Sequence, residues 1–402
     1  MEWNVETLSL VSIPLISAIV GWLTNYLAVK MMFYPIEFVG IKPFFGWQGL
    51  IPAKRRQMAE IEVELVLGKL LSVEELAQRL DADELTKAIE RRLSQVIRKV
   101  INDVMAESAP QLWAALPVQG KNLVYQRIEN DIPNVVHKMV DDFQHNVSEI
   151  LDIKELVVEQ LVNAPELVNE IFLTAGSKEF PFIVRSGLYF GFLFGLPTMV
   201  FWYLFQAWWI LPLGGLLVGY ATNWIAIKII FEPKRPRKIG PVTIQGMFLK
   251  RQKEVSEVYS AIIEKKLITP KNITHVILHG SGSAQLLELI ELHVNDAIER
   301  YVAIAQPYFA LGVGSENYHQ MKALAVRQIF DNSDKYLLYA FDYANNALQV
   351  GHDLSERMQA LSVEEFEGVL RPAYQQDEWK LIVTGAILGM LAGGAQLYFV
   401  FM

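Results

Sequence analysis

Four stretches of this chain are apolar over about 20 residues or more, and they constrain the fold more than anything else in the sequence. LSLVSIPLISAIVGWLTNYLAVKMMF ends at Phe33, and GLYFGFLFGLPTMVFWYLF begins at Gly187. WILPLGGLLVGYATNWIAIKIIF ends at Phe231, and LIVTGAILGMLAGGAQLYFVFM begins at Leu381. Hydrocarbon offers backbone N–H and C=O groups no partner but one another, so spans of this length are predicted as helices. Four membrane helices are therefore expected, over residues 9–33, 187–207, 209–231 and 381–402. The first is not read as a signal peptide: it has Glu2 and Glu6 ahead of it, no basic n-region, and it exceeds the length of an h-region.

The rest of the chain must live in water. Of 402 residues 52% are hydrophobic, yet 20% are charged, a combination that implies part membrane and part exposed domain. A formal net charge of −8 lacks the basic footprint of a nucleic-acid binder. The absence of cysteine excludes disulfides, thiolate metal sites, a cysteine nucleophile and cysteine lipidation.

Lys and Arg near helix ends stay on the cytoplasmic side. None precedes the first helix, whereas Lys42, Lys54, Arg55 and Arg56 follow it. The QAWW link between the second and third helices is uncharged. Lys234, Arg235, Arg237, Lys238, Lys250, Arg251 and Lys253 follow the third, and Arg371 and Lys380 precede the fourth. The expected topology puts both termini on the outer side of the membrane and both large connecting regions in the cytoplasm.

The chain also reads as a duplication. Gly21, Thr24, Asn25, Ala28, Lys30, Phe33 and Pro35 recur as Gly219, Thr222, Asn223, Ala226, Lys228, Phe231 and Pro233, each 198 positions later (219 − 21 = 198). Gly187, Gly191 and Gly195 recur at the same offset as Gly385, Gly389 and Gly393. The fold class expected is an all-α membrane protein of two parallel internal repeats. Each repeat has an inbound membrane helix, an interfacial loop (34–56 and 232–253), a helical cytoplasmic region (57–185 and 254–378) and an exit membrane helix.

Positions 21, 24, 25 and 28 share one helix face, as do 219, 222, 223 and 226. Small residues let helix backbones approach in lipid, and polar side chains then bond across the contact. The simplest reading packs the two inbound helices together with Asn25 near Asn223; the alternative is a polar conduit lined by Thr and Asn. The exit-helix glycines form a second smooth ridge. Lys30 and Lys228 are expected to snorkel to headgroups.

These motifs resemble a family. The G-x-x-T-N-x-x-A-[IV]-K-x-x-F-x-P run, the GLIPAKRR segment and the late DEWKLIVTGAILG segment are similar to the bacterial membrane family of domain of unknown function 445, which includes YheB- and YjiN-type proteins. In the second copy QGMFLKRQK replaces the proline of GLIP, so a difference in that loop is expected. The resemblance implies an integral membrane protein and assigns no activity.

The interfacial loops are rich in aromatics, Pro, Gly and basic residues, which suit the headgroup level. Lys54, Arg55, Arg56, Lys250, Arg251 and Lys253 are the candidates for inner-leaflet contact with anionic headgroups, or they serve only to set topology. The connecting regions carry apolar stripes at helical spacing: Leu85, Ala88, Ile89, Leu93, Val96, Ile97, Val100, Ile101 and Val104; Val135, Val136, Met139, Val140, Phe143, Val147 and Ile150; Leu286, Leu287, Ile290, Val294, Ala297, Ile298 and Tyr301. Such stripes build a bundle core or, less commonly, a groove for acyl chains. SVEE at Ser72 and at Ser362, Pro133 and the HGSGS turn punctuate the helices.

No nucleotide-binding, nucleophile-elbow or metalloprotease motif is present, and GVGSEN lacks the Lys-Ser/Thr of a phosphate loop. His137, Asp141 and His145, and His275 with His279, have i, i+4 spacing that can hold zinc, but a solvated face is favoured and no metal or cofactor is expected. The function expected is non-catalytic: a structural or scaffolding membrane component that assembles with copies of itself or an unidentified protein, with membrane lipids as further partners. The alternative is lipid or small-solute transport through a groove or pore between the repeats.

Overall fold

A computed structural model describes residues 5–41, 45–70, 72–309, 315–333, 348–371 and 377–401, with residues 340, 343 and 375 between them. Glu2, Lys42 and Gly312, Val313 and Gly314 of the GVGSEN turn lie outside the described residues. The described chain is overwhelmingly helical. The four apolar stretches form helices Val5–Phe33, Glu179–Phe205, Ile210–Phe231 and Glu378–Gln396, the last continuing as a π turn to Phe401. Among the described residues these are the four helices long and apolar enough to cross a membrane. Their apolar spans of 22 to 27 residues reach roughly 33–40 Å at 1.5 Å per residue, sufficient for the hydrocarbon. The first exit helix starts at Glu179 rather than near Gly187, because helix hydrogen bonding continues past the point where the side chains cease to be apolar.

Residues 1–66, 161–262 and 354–402 pack as one unit, and residues 67–160 and 263–353 as another. In the first unit each inbound helix lies along the exit helix of its own half of the chain. The two pairs meet where the first exit helix touches the second inbound helix, and where the first inbound helix touches both helices of the second pair. Away from the loops, Ile13, Leu211 and Leu397 are buried together, with Leu10, Trp202 and Phe401 packed against them. Leu15, Ile19, Leu193, Phe201, Leu217 and Leu391 point outward from the helices and are more than half exposed, as lipid-facing side chains would be.

After each inbound helix the chain makes the same sequence of moves. A cis peptide, Tyr34–Pro35 or Glu232–Pro233, leads into a two-stranded antiparallel hairpin. Val39–Ile41 pairs with Phe45–Trp47, and Arg237–Ile239 with Val242–Ile244. Strands were not expected in these loops. The second hairpin turns at Gly240, whose φ of +61 suits glycine. Gln48 Nε2 then donates to the Ile36 carbonyl at 2.8 Å, and Gln245 Nε2 to the Lys234 carbonyl at 3.2 Å. Gly49 and Gly246 cap the short helices Leu50–Ala53 and Met247–Lys250. Leu249 stands where the first loop has Pro52, yet both loops form this helix, because its first turn needs no N–H at that position.

The second unit is a helical bundle drawn from both halves of the chain. Ala82–Ser108 packs on Ser315–Asp331, and Ile132–Ile150 on Ser283–Phe309. Val104, Met105, Trp113 and Tyr125 are buried with Met321 and Ala325, and Val100, Ile101, Val294 and Ile298 pack around them. Ile132, Val136 and Val140 form a second core with Leu85, Leu93 and Ile97. The apolar stripes are thus used as bundle core. Leu287 departs from its stripe and is exposed, Leu289 being buried in its place. Ser72 caps Val73–Ala77 by accepting from the Glu75 N–H, and in the first unit Ser362 and Glu365 complete a capping box.

Candidate functional site

The Thr-Asn motif sits at the tightest contact in the first unit. Gly21 meets Gly187 so closely that a Cβ on either would collide with the carbonyl oxygen of the other. Further along, Gly191 faces the Ser17 carbonyl, and Gly195 faces Pro14 and Ser17. The second pair repeats the contact: Gly219 against Gly385, Gly389 against Gly215, and Gly393 against Leu211 and Pro212. Backbones this close leave no room for side chains and gain dispersion contact along the whole ridge.

The polar groups of the motif are consumed by that contact. Asn25, fully buried, donates from Nδ2 to the Ile183 carbonyl at 2.7 Å. Asn223 donates to the Leu381 carbonyl at 3.1 Å. Ile183 and Leu381 are 198 apart (381 − 183 = 198), as are the two asparagines. The donors therefore go to the exit helices, each within its own half, and not to each other as the simplest reading of the sequence supposed. The reason is geometric: the glycine contact brings an exit-helix backbone to the inbound helix at the level of the amide. Thr24 and Thr222 donate to the carbonyls of Gly21 and Gly219 in their own helices, at 3.1 and 3.3 Å. Ala28 and Ala226 are buried beside them. Lys30 and Lys228 stand over the rings of Tyr26 and Trp224, at 5.8 and 4.7 Å from the centroids.

Two ion pairs tie the loops to the exit helices, and they cross between halves. Lys54, after the first inbound helix, reaches Asp377 at the start of the second exit helix, 2.7 Å away. Arg251, after the second inbound helix, reaches Glu179 at the start of the first exit helix, 2.6 Å away. Glu179 and Asp377 are again 198 apart (377 − 179 = 198), and Lys54 and Arg251 are 197 apart (251 − 54 = 197). Both acids are almost completely buried. Burial works to raise the Asp377 carboxyl, but hydrogen bonds from Lys380 and Lys54 outweigh it and hold the group below its ordinary value. Arg251 also chelates Glu254, and with Lys178 it pulls that carboxyl down to about 2. Two of the six residues expected to face headgroups, Lys54 and Arg251, are thus engaged inside the protein. Arg55 donates to the Pro52 carbonyl at 3.4 Å, and Arg56, Lys250 and Lys253 are exposed. The acids had not been singled out in the sequence; the 198 offset between Glu179 and Asp377 was the signal that could have found them. A further unforeseen contact runs from Asn169 Nδ2 to the Phe33 carbonyl at 2.7 Å.

A cavity of about 50 Å3 lies beside Glu179 and Glu378, walled by Met32, Phe180, Ile183, Ile230 and Leu381. Its lining is almost wholly apolar. In the second unit the candidate histidines lie beside carboxylates or one another: His137 is 3.2 Å from Asp83, His145 is 3.7 Å from Asp141, and the ring centroids of His275 and His279 are 5.1 Å apart. Among the described residues no three His, Asp or Glu side chains are grouped to hold a metal ion. The same unit joins the halves of the chain through polar contacts. Asp131 accepts from Arg300 and Tyr301 at 3.1 and 2.7 Å, and Glu155 accepts from the Ser281 hydroxyl at 2.8 Å.

Comparison with known proteins agrees with this picture. Residues 15–117 match the family model described as "Protein of unknown function (DUF445)". A UPF0754 membrane protein of Microcystis aeruginosa (strain NIES-843 / IAM M-2473) is 34% identical over 109 residues, 26% of each chain. One of Synechococcus sp. (strain JA-3-3Ab) is 27% identical over 172 residues, 37% of this chain and 40% of the relative. One of Exiguobacterium sibiricum is 31% identical over 132 residues, 32% of this chain and 35% of the relative. These matches span between about a quarter and two fifths of the relatives' own length. No solved structure matches the chain. The family model, the relatives' common description and the four apolar helices converge: this is a membrane protein whose residues 15–117 are similar to the DUF445 family.

Proposed function

We propose that this protein is a non-catalytic membrane scaffold, a tandem duplication whose two repeats close into one four-helix anchor carrying a helical bundle. In this reading it sits in a bacterial inner membrane with both termini outside and the bundle in the cytoplasm, following the Lys/Arg bias of its loops. The bundle assembles with further copies of the chain or with a protein partner. The observation that carries the reading is the use of the Thr-Asn donors: all four side chains bond to backbone carbonyls within the helix pairs, so the motif is engaged in helix packing. The recurrence of each contact at an offset of 198 supports the duplication, and the crossed ion pairs support pairing of the repeats within one chain.

Reconstitution separates this from lipid or solute movement. The purified protein is placed in liposomes, and lipid scrambling and small-solute leakage are followed beside its oligomeric mass. Scaffolding predicts a defined assembly and flux no greater than in empty liposomes. Flux that disappears in the Asn25→Ala/Asn223→Ala protein, with its mass unchanged, would replace scaffolding by transport.

A further inference from the structure

The two loops differ in one respect that their shared fold does not require. At the loop end of the second inbound helix lies an open hollow of about 660 Å3, within the roughly 300–1,000 Å3 of small-molecule sites. Lys228, Lys234, Arg235 and Arg237 line it, against the carboxylates of Glu232 and Glu364. The local pairs do not neutralise it. Lys228 is 3.3 Å from Glu232 and Arg235 is 3.5 Å from Glu364. Lys234 pairs at 2.7 Å with Glu367, but that carboxylate also binds Arg371. No ion pair engages Arg237 among the described residues, and its side chain is exposed.

The surroundings specify what kind of anion would fit. Lys228 lies in the last turn of a membrane helix that ends at Phe231, with its ammonium over Trp224. Trp and Lys at a helix end mark the level of the lipid headgroups. Ile229 and Ile244 give the same hollow an apolar wall. A cationic concavity with one greasy side at headgroup depth suits an amphiphile with an anionic head. Guanidinium groups in particular match phosphate oxygens in pairs.

The first loop lacks the feature. Counting back 198 positions, Ile36, Glu37 and Val39 stand where the second loop has Lys234, Arg235 and Arg237. Three cations are absent and one is replaced by an acid, although the hairpin and its glutamine bond are kept. Fold maintenance therefore does not account for the basic cluster. We propose that the hollow of the second loop binds a phosphate group, that of one anionic glycerophospholipid, and that the first loop has no equivalent site. This goes beyond the scaffold reading and does not depend on it.

The test is native mass spectrometry of the full chain, extracted in detergent and supplied with phosphatidylglycerol or phosphatidylcholine. The expected result is preferential retention of one phosphatidylglycerol per chain. Arg237→Gln removes no ion pair among the described residues and is expected to lower that retention by about fivefold or more. The triple variant K234I/R235E/R237V, which writes the first loop's residues into the second, is expected to abolish it. Lys253→Glu, outside the hollow, is expected to leave it unchanged. The triple variant also breaks the Lys234–Glu367 pair and can misfold, so R237Q is the deciding protein. Displacement of the lipid by millimolar inorganic phosphate would support the phosphate site while identifying a free anion as a competent source. Equal retention of the two lipids, or retention unaffected by R237Q, would overturn the proposal.

Discussion

Asn25 and Asn223 are buried amides whose donors each reach one carbonyl on a neighbouring helix, and the consequence for stability is modest. Interhelical hydrogen bonds in membranes are worth about 0.6 kcal/mol on average and up to about 1.7. Asn25→Ala and Asn223→Ala are each expected to fall in that range, read as unfolding free energy in detergent or bicelles. The glycines should matter more. A Cβ at Gly187 or Gly385 meets the backbone of the partner helix or the motif asparagine, and two packed helices cannot yield as a flexible side chain can. Gly187→Ala and Gly385→Ala are therefore expected to cost about 1–3 kcal/mol, the usual range for overpacking. Gly394, one residue beyond the ridge position Gly393, has nothing within 4 Å of its added Cβ. Gly394→Ala should be neutral or slightly stabilising; a loss equal to that of Gly385→Ala would mean that helix conformation, not close approach, sets the cost.

At the level of elements, the crossed ion pairs distinguish the two loops. Arg251→Ala would leave Glu179 buried without its cation, a situation that costs about 3–5 kcal/mol in comparable sites. Lys54→Ala should cost less, because Lys380 still reaches Asp377 at 2.8 Å. Equal losses in the two variants would show that Lys380 does not substitute. The carboxyls bound by these cations also set a pH dependence. Asp377 and Glu254 are held below their ordinary values, Glu254 at about 2, so they bind fewer protons folded than unfolded. Their contribution is present above the ordinary carboxylate range near pH 4 and is lost as pH falls through it toward 2. Arg251→Ala should flatten that acid limb of the stability curve, as measured by thermal unfolding between about pH 2 and 6. These elements also mark the limit of what could be read beforehand. The membrane spans and the burial of Val136, Val140, Val147 and Ile150 follow from hydropathy and helical period, which are local properties of the chain. The destination of an asparagine amide is not local, since it depends on which helix arrives beside it. Three-residue strands such as Val39–Ile41 are too short to show an alternating pattern, and Glu179 looked like any first-turn acid until Arg251 was brought to it by the fold.

At the level of the whole molecule, each of the two packed units is assembled from both halves of the chain. The first joins the two helix pairs through the Lys54–Asp377 and Arg251–Glu179 bonds. The second sets Ala82–Ser108 on Ser315–Asp331 and Ile132–Ile150 on Ser283–Phe309, with Asp131, Arg300 and Tyr301 bonded across the contact. Neither half alone could bury these faces: Trp113 and Tyr125 would lose Met321 and Ala325, and Glu179 would lose Arg251. The polypeptide joins the halves only through the short link around Gln206 and Trp209, which lies between two helices and carries no part of either contact. Cutting there removes a connection without removing an interaction, so residues 1–207 and 208–402 expressed as separate chains are expected to co-purify in a ratio of one to one. Either fragment alone should be degraded or aggregate, because it exposes the apolar faces that the other covers. Asp131→Ala with Glu179→Ala should weaken recovery of the pair more than either change alone, since each acts in a different unit. Stable, monodisperse recovery of one fragment by itself would show that the halves fold independently and that their mutual contacts are secondary.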